Sequence, residues 1–193
     1  QMGVILAATD ALEWLARLSG QSAADLTRDL GNVQAPGRTL FLPYLGGERT
    51  PHNDAAIRGQ FLHLDHATDA RAAARAVLQG VSYAFADCNL ALGATGTRIE
   101  SALALGGGAR SDHWLSMLAS TLGFPLEVPQ AGDFGAALGA ARLGQMAATG
   151  AGAEIAAKPP IARSMAPDPA LRDAMADGHA RYRAAYAVIR DLD

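Results

Sequence analysis

An α/β fold is predicted, on three observations. Short apolar runs, such as Val4–Ala7, Thr39–Leu42 and Leu126–Pro129, alternate along the chain with segments of helical period. One further run, Ile99–Leu105, breaks into three glycines at 106–108 and leads straight into an amphipathic segment. The 193 residues, half of them hydrophobic, suffice for one domain with a real core and are short for two.

Composition narrows the function classes. A net charge of −3 and the lack of a basic stripe with interleaved aromatics argue against a nucleic-acid binder. A single cysteine, Cys88, excludes an internal disulfide and a multi-cysteine zinc site. No apolar run approaches membrane-spanning length, and the start lacks the basic region and long apolar core of a signal peptide. The expected compartment is therefore the cytoplasm, with no membrane and no nucleic-acid partner. Gln1 and Met2 lead at once into Val4–Ala7, so the chain opens inside an expected strand and reads as a piece of something longer.

Taken in order, Gly3–Ala7 is expected as a short buried strand. Thr9 or Asp10 can cap a helix over Ala11–Leu18, which Gly20 stops. Ser22 starts a second short helix through Leu30, followed by a loop over Asn32–Gly37 and a strand at Thr39–Leu42. Pro43–Arg58 is a long polar loop holding Glu48, Arg49, His52 and Asp54; loops of this length in compact domains are usually functional or disordered. It reads either as a solvated turn with local salt bridges or as a functional loop. His52 alone is no metal site, because no second His or Cys stands at ligand spacing.

Gly59–Leu64 is expected as a strand, and Thr68 as the cap of the longest helix, ending at Gly93. Ala74, Val77, Leu78, Val81, Ala84, Phe85 and Cys88 repeat at i, i+3, i+4 on it, which makes Cys88 a buried structural thiol rather than a nucleophile. Ile99–Leu105 is expected as the central strand, followed by a helix over 111–122 with Gly123 at its end, then a strand at Leu126–Pro129. A turn at Gln130–Asp133 leads into a helix near Phe134–Ala148, whose small face (Gly135, Ala136, Gly139, Ala140) suits close packing, or a ligand role, or both. Thr149–Ala166 is rich in Ala, Gly and Pro and is expected as a surface excursion. Asp168 then caps a last helix reaching Leu192, with Pro169 in its first position and Leu171, Met175, Tyr182, Tyr186 and Ile189 as its apolar stripe.

The stretch Ser101–Ser120 carries the strongest functional signal. A small strand, a glycine turn and a helix start form the geometry of a nucleotide site: glycine lets backbone approach a ligand, and the helix presents free N–H groups and a positive dipole end. Ser111 and Asp112 are good cap types, and Trp114, Leu115, Met117, Leu118 and Leu122 follow near one face. The alternative at this level is a tight strand-to-helix turn with no ligand.

Four segments then resemble the C-terminal half of the FGGY carbohydrate kinases, the xylulose-kinase branch in particular. They are Val4–Gly20 (VILAATDALEWLARLSG), Phe41–His52 (FLPYLGGERTPH), Gly59–Phe85 (GQFLHLDHATDARAAARAVLQGVSYAF) and Leu105–Gln145 (LGGGARSDHW…GDFGAALGAARLGQ). Their order and spacing match as well, and the pairing of GERTPH with GGGARS is far more specific than either alone.

The resemblance implies an actin-like ATPase domain, a ribonuclease-H-type mixed sheet with helices on both sides. It places residues 1–193 in the C-terminal, nucleotide-binding domain, with 151–193 as linker plus C-terminal helix. The implied reaction moves the γ-phosphoryl group of ATP, as its Mg²⁺ complex, to the 5-hydroxyl of D-xylulose. The family's sugar site, its aspartate base and a glycine/threonine phosphate hairpin all precede this region, so no acidic residue here is assigned the base role. By the same resemblance, Gly106, Gly107 and Gly108 approach adenosine and phosphate. Ser111 and Asp112 stand at the adenine end, and Arg110 covers the base plane or is solvated. Glu48 and Arg49 face the cleft, and a homodimer is compatible with the family. The chain alone is expected to be inactive. Three alternatives stay open: a sibling kinase for glycerol or ribulose, a non-catalytic actin-like nucleotide module, and an interaction domain with no ligand.

Overall fold

The computed structural model describes residues 1–130 and 135–192. The order is α1 (Thr9–Ser19), α2 (Ala23–Thr27), β1 (Leu40–Leu42), β2 (Gln60–Leu62), α3 (Ala70–Ala94), β3 (Ala102–Leu103), α4 (Asp112–Leu122), β4 (Leu126–Pro129), α5 (Gly135–Thr149), β5 (Ile161–Met165) and α6 (Arg172–Ile189). Among the described residues the strands form two sheets. β1 and β2 pair antiparallel, while β4 lies between β3, its parallel neighbour, and β5, its antiparallel one. The second sheet is thus mixed, as expected.

α3 is the spine. Its buried residues run from Ala74 to Cys88. On one side they pack with Ala11, Leu15 and Ala16 of α1, Phe41 of β1 and Trp114 and Met117 of α4. On another, Tyr83 and Ala84 join Leu40, Leu42, Tyr44 and the α6 residues Tyr182, Tyr186 and Ile189. Gly80 explains how closely β1 approaches: a Cβ there would lie 2.1 Å from the Phe41 carbonyl oxygen. Two buried polar groups on the spine are paired, whereas the Gln79 Nε2 and the Tyr83 hydroxyl, also buried on it, have no hydrogen-bond partner among the described residues. The Trp114 indole N–H donates to the buried Ser82 hydroxyl at 3.2 Å, and Asp87 meets His179 of α6 at 2.8 Å. Cys88 lies in this core as expected, and burial pushes its thiol up to about 11.

Several boundaries differ from the sequence reading, each for a local reason. Gly3–Ala7 is not a strand. Val4 exchanges two hydrogen bonds with Thr50, one through the threonine hydroxyl, which fixes an extended segment on a loop instead of in a sheet. α1 begins at Thr9, because the Asp10 carboxylate turns back to accept the Ala8 N–H at 2.7 Å instead of capping forward. α2 stops at Thr27, short of Leu30. Asp69, not Thr68, caps α3 by accepting the Ala72 N–H, since the Thr68 hydroxyl is spent on Asp65. The same helix runs through Gly93 to Ala94, where Thr95 closes it by donating to the Leu92 carbonyl.

The strand at 99–105 shrinks to Ala102–Leu103 and is an edge of its sheet; β4, paired on both sides, is central. The stretch 149–166 is not only a surface excursion, because it returns as β5, with Leu126 opposite Met165 and Val128 opposite Arg163. Asp168 caps as expected, but Pro169–Leu171 is a 3₁₀ turn before α6, and a second 3₁₀ turn follows at Arg190–Leu192. The turn expected at Gln130–Asp133 and the start of the next helix at Phe134 lie, apart from Gln130, outside the described residues. The small face of α5 is not packed: the helix buries none of its described residues, and only Gly135 sits tightly, where a Cβ would lie 3.0 Å from the Leu105 side chain.

Candidate functional site

The glycine turn stands where β3, α1, α2 and α4 meet. Gly106 has φ +83, the left-handed region in which a side chain is strained, and it turns the chain out of the sheet. Gly107–Arg110 then form one 3₁₀ turn, held by the Ala109 N–H on the Gly106 carbonyl and the Ser111 N–H on the Gly108 carbonyl. Ser111 caps α4, its hydroxyl accepting the Trp114 N–H at 3.2 Å. α4 spans 11 residues, so the positive end of a full helix dipole is directed at the turn.

Gly107 and Gly108 have opposite surroundings. A Cβ on Gly107 would meet nothing within 4 Å, whereas one on Gly108 would lie 2.5 Å from the Trp114 ring and 2.9 Å from the Thr9 methyl group. Gly107 therefore borders open space, and Gly108 is a packing contact between α1 and α4. That space is concave on both sides of the turn. A cavity of about 710 Å³ is walled by Thr9 and Glu13 of α1, Ala23, Ala24 and Thr27 of α2, and the turn with Arg110 and Ser111. A second, of about 470 Å³, is lined by Phe85, Leu103, Leu105, Leu118 and the three glycines, and is mainly apolar. A volume of this order fits a small molecule held by walls and a few polar groups.

Five of the six residues expected at the turn, Gly106, Gly107, Gly108, Arg110 and Ser111, line these two cavities; Asp112 does not. Its carboxylate instead meets the Arg163 guanidinium of β5 at 3.0 Å. Nor do the loop residues reach the turn's cavities. Glu48 is buried against its own loop: one carboxylate oxygen accepts the His52 N–H at 3.1 Å, the other has no partner, and burial raises its pKa. His52 stacks on Tyr186 of α6 with ring centres 3.5 Å apart, and the Tyr186 hydroxyl donates to Asp54. Arg49 is exposed. Among the described residues no three His, Cys, Asp or Glu side chains form a metal-holding group.

Sequence reasoning missed the α1 and α2 walls and Arg163. The walls are small or ordinary helix residues with no motif, identified only by where the helices pack. Arg163 carried one faint signal, a charged residue at the centre of the alternating IARSM.

The model of the FGGY family of carbohydrate kinases, C-terminal domain, matches residues 1–148. The chain belongs to the FGGY family of carbohydrate kinases. Among curated relatives it is 44 % identical over 149 residues to the xylulose kinase of Escherichia coli K12, and 42 % identical over 152 residues to that of Klebsiella pneumoniae. Each alignment covers 76 % of this chain, but only 31 % and 30 % of those proteins. A crystal structure of a xylulose kinase from Brucella ovis superposes over the full chain with a TM-score of 0.93 at 50 % identity, covering 41 % of that structure. One from Rhodospirillum rubrum gives 0.77 at 26 % identity, over 98 % of this chain and 40 % of that one. The fold is thus the actin-like, ribonuclease-H-like ATPase fold of the FGGY kinases. The family match ends before β5, so Arg163 lies outside it.

Proposed function

We propose that residues 1–193 are the C-terminal nucleotide-binding domain of an ATP-dependent sugar kinase, with D-xylulose as acceptor and D-xylulose 5-phosphate as product. The observation that carries the reading is Gly107, facing open space at the mouth of a 710 Å³ cavity beside the N-terminus of α4. In this reading Gly106 sets the direction of the turn, Gly107 admits the adenosine and the phosphates to the backbone, and Arg110 and Ser111 border the adenine end. Asp112 acts on the turn from behind, through Arg163, rather than on the base. The polarised N–H groups at a helix start favour the negative charge of a phosphate chain.

Phosphoryl transfer is mostly a matter of positioning and charge, and Mg²⁺, when bound with the nucleotide, would supply charge neutralisation. The described carboxylates do not converge at the turn to hold that metal, so among the described residues none is assigned as its ligand. Support for xylulose comes from relatives of that name at 44 % and 42 % identity. A sibling acceptor is the second reading, favoured by a glycerol kinase of Thermus brockianus that is 32 % identical over 141 residues. Among the described residues no helix is long and apolar enough to cross a membrane; the proposed compartment is the cytoplasm.

The test is titration of the chain with ADP carrying a ribose-linked fluorophore, for the parent and for Gly107→Val. A Cβ at this position meets nothing within 4 Å, so the variant is expected to keep its circular dichroism spectrum while its side chain fills the open space and removes binding. A variant that binds as the parent does places the site elsewhere.

A further inference from the structure

β5 brings an arginine to the back of the glycine turn. Along Ile161–Met165 exposure alternates, with Ile161, Arg163 and Met165 half-buried and Ala162 and Ser164 exposed. A guanidinium thus occupies the inward face of a strand whose other inward residues are apolar, a placement that calls for partners. It has two. Its Nη2 donates to the Ala109 carbonyl, within the 3₁₀ turn, at 2.7 Å, and its Nε donates to Asp112, the first residue of α4, at 3.0 Å. The planar fork therefore spans the junction between turn and helix and fixes one against the other.

The surrounding contacts make β5 a firm base for this. The Asp168 N–H donates to Ser120 of α4 at 3.0 Å, the Gln130 N–H donates to the Pro160 carbonyl at 3.0 Å, and Lys158 pairs with Glu127 of β4. The ion pair with Asp112 is half open to solvent, with side chains 38 % and 66 % exposed, so Coulomb attraction alone contributes little to stability. What the guanidinium sets is geometry: it meets the Ala109 carbonyl between the amides of the 3₁₀ turn and, through Asp112, the first residue of α4.

We propose that Arg163 is a positioning residue for the nucleotide turn, so that a strand beyond the family-matched region sets how tightly the turn binds ADP or ATP. The proposal rests on the reading of the turn as the nucleotide site. Arg163 touches no ligand in this account; it acts through Ala109 and Asp112.

The test compares the parent, Arg163→Ala, Arg163→Lys and Asp112→Asn by titration with ribose-labelled ADP, by thermal melting, and by hydrogen exchange at the Ala109 and Ser111 amides. Arg163→Ala is expected to weaken ADP binding about tenfold, the scale of a charged hydrogen bond, with a melting temperature near the parent's. Its two turn amides exchange faster. Arg163→Lys keeps one of the two contacts and recovers part of the affinity. Asp112→Asn, which leaves the Ala109 contact in place, loses about threefold. Should Arg163→Ala fail to fold, Arg163→Lys and Asp112→Asn decide. Parental ADP affinity in the folded Arg163 variants overturns the inference while leaving the site reading intact, provided Gly107→Val still abolishes binding. If Gly107→Val also binds, or the parent does not bind, the site reading falls and takes this inference with it.

Discussion

Replacing Gly108 by alanine drives a methyl group to 2.5 Å from the Trp114 ring and 2.9 Å from Thr9, so α1 and α4 must move apart. Overpacking of this kind costs about 1–3 kcal/mol. Gly108→Ala is therefore expected to lower the denaturation midpoint, while Gly107→Ala leaves it nearly unchanged; urea unfolding of the two side by side checks this, and equal midpoints would refute the division of roles. The triple glycine was visible in the sequence, and so was the cap at Ser111, because both depend on chemistry within a few residues. Which glycine serves packing and which serves open space was not visible, because the answer depends on Thr9, about a hundred positions earlier, and on how Trp114 turns toward Ser82. Asp112 shows the same limit. Its type suits a helix start, but its role is set by an arginine 51 positions away.

At the scale of elements, termini were legible wherever one side chain decides them, as at Ser22 and Asp168, each accepting a backbone N–H of the first turn it caps. Strands were less legible. β3 has two residues and β5 hides behind Pro159 and Pro160, and each is defined by its pairing with β4 rather than by its own pattern. The loop over 43–58 is ordered by long-range stacking: His52 lies on Tyr186, and Tyr44 meets the same ring edge-on at 5.8 Å. Burial pushes the His52 imidazole below its ordinary value of 6.5. A base held neutral in the folded state takes its proton more readily when unfolded, so this contribution is full above about 6.5 and is lost as pH falls below it. Unfolding free energies at about pH 7.5 and about pH 5.5 are expected to differ more for the parent than for His52→Gln. An unchanged pH dependence in the variant would show that the stacked ring carries no such linkage.

At the scale of the whole molecule, the glycine-turn cavities and the buried Glu48–His52 loop are separate places in the structure, and among the described residues no carboxylates converge at the turn. Phosphoryl transfer needs an aligned acceptor, a metal-bound triphosphate and an oriented base together in a dry cleft. Residues 1–193 are accordingly expected to bind nucleotide without turning over: a coupled assay of ADP release shows no increase on adding D-xylulose, and sugar-dependent release would place a working acceptor site within these residues. The division between turn and clamp also has a consequence in time. Arg163 follows Ala109 by 54 positions. At synthesis rates of about 5–20 residues per second, the turn leaves the ribosome roughly 3–10 s before the group that holds it. During that interval the nascent chain carries the glycine turn and the start of α4 without the guanidinium that bridges Ala109 and Asp112.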